Sequence, residues 1–204
     1  ADKVGIAKYK AVISSNIKEK NTVNNTKNFA VEIIDQRSEI ALVSVINHPD
    51  LGSLKRSIET NQQRKVSILK PEEVKSLQNY NILILYQPTT SFKAIFEQNK
   101  VAQINTFIIT GTATDFNFLN QVQNDLLFKM SAQKEDYLAT FDSNFNLFSQ
   151  ANIGFENFPP LEHKFGTIAA KSNVNTLLSA RIRNVQLQNP LLTFTENGSK
   201  RNAY

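Results

Sequence analysis

Hydrophobic positions along the chain change their rhythm twice. Residues 6–14 read as a strand, and so does the stretch in which Phe29, Val31 and Ile33 alternate with Ala30, Glu32 and Ile34. The polar segment between them, rich in Asn, Lys and Thr, makes the pair a hairpin. A lone hairpin is marginal in water, so this one must dock on the rest of the chain or end a preceding β domain.

From Glu39 the pattern becomes strand then helix. Residues 39–46 form a largely apolar run, as a strand buried on both faces requires. Asn47-His48-Pro49-Asp50 breaks it, and Leu51, Leu54 and Ile58 then fall on one helical stripe. Val66 to Leu69 is a short strand, and Pro71-Glu72-Glu73 is a helix start. Ile82 to Tyr86 and Thr106 to Thr110 are further buried strands. Thr90 or Ser91 caps a helix carrying Phe92, Ile95 and Phe96. Gly111-Thr112-Ala113-Thr114-Asp115 turns the chain into a helix with Phe116, Leu119 and Val122 inward. Alternating strands and helices predict an α/β fold, a flavodoxin-like parallel sheet with helices on both faces.

The rhythm changes again near residue 126, and residues 142–158 have no clean period. From Thr176 onward the chain is strand-like, with runs at Leu177 to Ala180 and Pro190 to Phe194. Asn197-Gly198 is a turn signal, with a return strand at 200–204. The expected organisation is a β-hairpin over 1–35 that can end an immunoglobulin-like module, and an α/β domain over 36–204 with a β-rich extension. Both ends read as cuts within a longer polypeptide.

Composition narrows the chemistry. The 204 residues include no Cys, which removes disulfides, thiolate metal sites and cysteine nucleophiles together. The net charge of +5 comes from scattered Lys and Arg, with no interleaving of cations and aromatics, so no nucleic-acid partner is expected. No run approaches the ~18 apolar residues of a membrane span. Gly is scarce, and neither a dinucleotide fingerprint nor a Walker loop occurs.

The turn at Gly111 to Asp115 lies between a buried strand and a helix, where α/β folds place ligands. A nucleophile elbow puts its reactive residue third in such a turn, and here that residue is Ala113. The plainer reading makes Thr114 or Asp115 an N-cap. Of the two histidines, His48 ends the first buried strand and can face the crevice, while His163 follows Pro159-Pro160-Leu161-Glu162 in a loop region. Neither has carboxylates at ligand spacing, so no metal is expected. Glu72-Glu73 and Glu135-Asp136 read as helix-end charge rather than as an acid and base. The candidate crevice residues are His48, Thr112, Ala113, Thr114 and Asp115, with no catalytic, cofactor or metal residue assigned.

Phe29 to Asp35, the strand at 39–46, Pro49-Asp50 leading into Leu54 to Ile58, and the strand at 82–86 together resemble a class I glutamine amidotransferase-like domain. The form they resemble is the divergent one of bacterial membrane-anchored proteins, found beside von Willebrand factor A or immunoglobulin-like modules. Glu19 to Asn25, Phe158 to Leu161 and Pro190 to Leu192 are similar to that group too. The resemblance implies a Gly-x-Cys-x-Gly elbow and a later His-x-Glu. Here Ala113 stands at the cysteine position, Asp115 at the second glycine, and no His-x-Glu occurs.

The expectation is therefore a non-catalytic binding or scaffolding domain. It would lie on the periplasmic side of a membrane-anchored protein and meet protein partners or other domains of its own chain. The alternative is a degenerate hydrolase or amidase using a Thr or Ser hydroxyl with His48. A Ser or Thr hydroxyl within hydrogen-bonding reach of either imidazole, inside a large cleft, would overturn the inert view.

Overall fold

The computed structural model describes residues 5–14, 16, 25–33 and 37–204. Glu19 to Asn24 of the family resemblance, and the expected boundary at 35/36, lie outside them. The chain divides into two compact units, Ala1–Arg37 and Ser38–Tyr204.

In the first unit, β1 (Gly5–Val12) pairs antiparallel with β2 (Thr26–Ile33). Tyr9 sits opposite Phe29, and their rings stack with centroids 5.5 Å apart. Such cross-strand aromatic pairs are what hold a two-stranded ribbon in register.

The second unit is built on a nine-stranded sheet. Its elements are β3 (Ser38–Ser44), α1 (Pro49–Glu59), β4 (Arg64–Leu69), β5 (Ile82–Tyr86), α2 (Lys93–Ala102), β6 (Asn105–Ile109), α3 (Phe116–Val122), β7 (Leu126–Phe141), β8 (Leu161–Ala170), β9 (Asn175–Ile182), β10 (Val185–Asn197) and β11 (Lys200–Ala203). The strand order is β4-β3-β5-β6-β11-β10-β9-β7-β8. Strands β3 to β6 run parallel, and β11 extends them parallel to β6. From β10 outward the pairing is antiparallel.

This overturns the flavodoxin-like expectation. Strand makes up 48% of the structure and helix 20%, and the sheet is mixed rather than an all-parallel layer between two layers of helices. The apolar runs did place β3 and β5, because a strand covered on both faces is largely apolar, and the shorter runs at 66–69 and 106–110 placed the edge strand β4 and β6. Within β3, Ile40 and Leu42 pack with Leu51, Leu54 and Ile58 of α1. Ala41 and Val43 face the other way, toward Ile95 and Phe96 of α2 and Phe116 and Leu119 of α3.

Three local expectations are corrected. The helix expected at Pro71 is a single 3₁₀ turn, Pro71–Glu73, closed by Glu73 Oε2 accepting from the Lys70 amide at 2.7 Å. A start signal alone does not offset the cost of nucleation. Glu135-Asp136 lies within β7, opposite His163 and Glu162 of β8, not at a helix end. His163 is therefore in a strand, not a loop. The middle of β7 is exposed, so its ladder rather than an apolar face defines it.

Candidate functional site

Three of the parallel strands end at one place. Beyond β3 comes His48, beyond β5 Gln87, and beyond β6 Thr110 and Gly111. This is the carboxyl edge of the parallel strands, where open α/β sheets leave a crevice for ligands. Here the antiparallel part of the sheet folds over that edge. Residues of β7, β8 and β10 close a cavity of about 410 Å³ against it. That size falls in the range of small-molecule pockets. Asn189 of β10 secures the cover, accepting from the Ile168 amide at 3.1 Å and donating to the Gly166 carbonyl at 2.8 Å, both in β8.

The central feature is a pair the sequence did not suggest. His163 Nε2 lies 3.1 Å from the Thr110 hydroxyl, and both residues line the cavity. His163 Nδ1 lies 3.1 Å from the Lys164 carbonyl, which can only accept. That fixes the proton on Nδ1 and leaves Nε2 to accept from Thr110. The ring is half-buried, with Phe116 and Tyr137 edge-on to it at centroid distances of 5.4 and 6.2 Å. Burial pushes the His163 pKa down and the Lys164 charge adds to this, against the opposing bond to the Lys164 carbonyl. The imidazole is thus neutral at neutral pH, poised to take a proton from the hydroxyl it touches.

A second cluster sits across the cavity. The Tyr86 hydroxyl donates to Asp50 Oδ2 at 2.8 Å and lies 3.1 Å from His48 Nδ1. Burial first, then the bond to Asp50, raises the Tyr86 pKa to about 12. His48 also caps α1, its Nδ1 accepting from the Asp50 amide at 3.3 Å. Its side chain is 44% exposed.

The remaining candidate residues divide. Gly111 and Thr112 line the cavity, while Ala113 faces solvent. The Ala113 amide donates to Gln87 Oε1 at 2.8 Å. Thr114 is buried, and its hydroxyl accepts from the Gly111 amide at 2.9 Å. Asp115 caps α3, accepting from the Phe118 amide at 3.0 Å. A Cβ at position 111 would fall 2.5 Å from the Gln87 side chain, so a larger residue there must displace the group that accepts from the Ala113 amide. Two of the turn's amides are thus committed to holding the turn, and neither is left to stabilise an oxyanion.

So the structure joins His48 and Thr112 at one cavity, and assigns Ala113, Thr114 and Asp115 to the turn itself. It adds Thr110 and His163, which sequence reasoning missed. Thr110 was legible only as the last residue of a strand. His163 needed the β7–β8 ladder to bring it back across a separation of 53 residues.

Among the described residues, no group of three or more His, Cys, Asp or Glu is placed to hold a metal ion. No described helix is long and apolar enough to cross a membrane. No family model matches the chain, and no curated protein matches it, so the amidotransferase resemblance transfers no residue role to this site.

Proposed function

We propose that the Ser38–Tyr204 unit binds a small molecule in the cavity at the carboxyl edge of its parallel strands. The observation that carries this is the Thr110–His163 hydrogen bond, a reactive-type pair facing a cavity of about 410 Å³. It meets the condition that counts against an inert module. Asp50 and Glu162 line the cavity, Glu162 paired with Lys134 at 2.8 Å, and among the described residues no Lys or Arg lines it, so the Asp50 carboxylate favours an uncharged or cationic ligand. Ligand-observed NMR with a set of neutral fragments tests the reading. Hits on the wild type should weaken in Thr110→Val, which keeps the side-chain shape and removes the hydroxyl. A fragment set that binds nowhere, or binds equally to the variant, refutes it.

A second reading is slow ester or amide hydrolysis. It keeps the expected hydroxyl–imidazole chemistry but moves the base from His48 to His163, because His163 is the imidazole that meets a threonine. Thr110 Oγ1 would attack the acyl carbon as its proton passes to His163 Nε2, and the leaving alcohol of an ester or amine of an amide would take that proton. Water, activated by the same ring, would then release the acid. The committed amides of Gly111 and Ala113 predict a low rate. Turnover of p-nitrophenyl acetate should be lost in Thr110→Val and His163→Gln and survive His48→Ala. The reverse pattern rejects this assignment.

The periplasmic setting and the protein partners rest on the family resemblance alone. A full-length reading frame with a membrane anchor and neighbouring modules would support them.

A further inference from the structure

A second cavity, of about 240 Å³, adjoins the first. The two share Tyr137, Leu161, Leu191 and Leu192 as a common wall. Beyond that wall the second chamber is lined by Ala139, Phe155, Phe158, Pro159 and Leu178. Not one of these side chains carries a polar atom. The first chamber holds the hydroxyls, imidazoles and carboxylates, and the second holds hydrocarbon and aromatic rings. A ligand that fills both must be polar at one end and apolar at the other.

We propose that the natural ligand is a neutral-headed amphiphile, an acyl amide, ester or alcohol. Its head hydrogen-bonds at Thr110 and His163, and its alkyl chain enters the apolar chamber behind Leu161 and Leu191. The proposal rests on the cavity-binding reading and names its ligand class. The Asp50 carboxylate disfavours a fatty acid anion, whereas the Glu162 charge is offset by Lys134 at 2.8 Å. The aromatic walls of Phe155 and Phe158, with ring centroids 5.7 Å apart, suit a flexible chain, which gains contact along its length.

The test is isothermal titration of N-methylbutanamide, N-methylhexanamide and N-methyloctanamide into the full chain. Wild type should bind more tightly by about fourfold per methylene, the value for full burial of a CH₂ group. Ala139→Phe fills the second chamber from β7 and should flatten the series while the shortest amide binds as before. Should Ala139→Phe not fold, Phe158→Glu serves the same purpose. Phe158 is 49% exposed, so a charge there leaves the core intact. A flat series on wild type, or an undiminished slope in both variants, overturns the amphiphile while leaving the first cavity as a binding site. Failure of every amide to bind, in wild type as in Thr110→Val, overturns both.

Discussion

Asp125 is the residue whose replacement best tests how the two halves of the sheet are joined. Its carboxylate accepts from the Tyr204 hydroxyl at 2.7 Å, Thr195 Oγ1 at 2.9 Å, Asn202 Nδ2 at 3.0 Å and Ser172 Oγ at 3.3 Å. Thr195, Asn202 and Tyr204 lie on or beside β10 and β11, Ser172 lies between β8 and β9, and β11 is the strand between the parallel and antiparallel portions. Burial by itself would raise the Asp125 pKa, but the four hydrogen bonds outweigh it and hold it below the ordinary carboxylate value. Tyr204 responds oppositely: burial, then the neighbouring carboxylate, pushes its hydroxyl far up, so it stays a donor.

Asp125→Asn keeps the shape and removes the charge. A hydrogen bond to a charged group contributes about 1.5–3 kcal/mol and a neutral one about 0.5–1.5 kcal/mol. Weakening three close bonds by about 1 kcal/mol each, discounted for partial exposure, predicts a loss of about 2 kcal/mol. Tyr204→Phe should cost about the same, since it deletes the shortest bond. With an m-value of about 2 kcal/mol/M, each urea midpoint falls by about 1 M. The double variant should lose less than the sum, because with the charge gone the Tyr204 hydroxyl has only a weaker, neutral bond left to lose. A depressed carboxyl pKa means that this stability is present above about pH 3.9 and is lost as pH falls through the folded value. Asp125→Asn should therefore flatten the acid limb. Additivity within about 0.3 kcal/mol, or a midpoint shift in Tyr204→Phe below about 0.2 M, would refute the network.

Four further outcomes are expected. His163 has a depressed pKa, so the unfolded chain takes up its proton first. Stability should fall as pH drops below about 6.5, and His163→Gln should remove that slope in pH-dependent urea melts. Gly52 lies on the exposed face of α1 with open space where a Cβ would stand, so Gly52→Ala should raise stability by about 0.5–1 kcal/mol. Gly111→Ala should instead cost about 1–3 kcal/mol through the clash with Gln87, with part recovered in Gln87→Ala. Phe92 is fully buried, and Phe92→Ala should cost about 3–5 kcal/mol by calorimetry.

Some of this molecule was readable from the order of its residues. The runs at Ile40–Val43 and Ile82–Leu85 announce doubly buried strands, because a strand covered on both sides is largely apolar. Asn197-Gly198 marks the β10–β11 turn, where Gly198 has a φ of 61° that glycine adopts without strain. The crevice location was legible for the same local reason: a strand followed by a turn and a capped helix at Asp115 leaves its carboxyl end open.

What covers that end was decided by contacts between distant residues. Strands β7 and β8 carry exposed polar middles, and their identity comes from ladder bonds to each other and to β9. A ladder has no signature in either strand alone. Only once β8 is paired, and tied to β10 through Asn189, does His163 reach Thr110. The residue types with reactive potential were present in the sequence from the start. Which hydroxyl met which imidazole was set by the register of strands far apart along the chain, and a one-residue slip in β8 would turn the ring to the opposite face of the sheet.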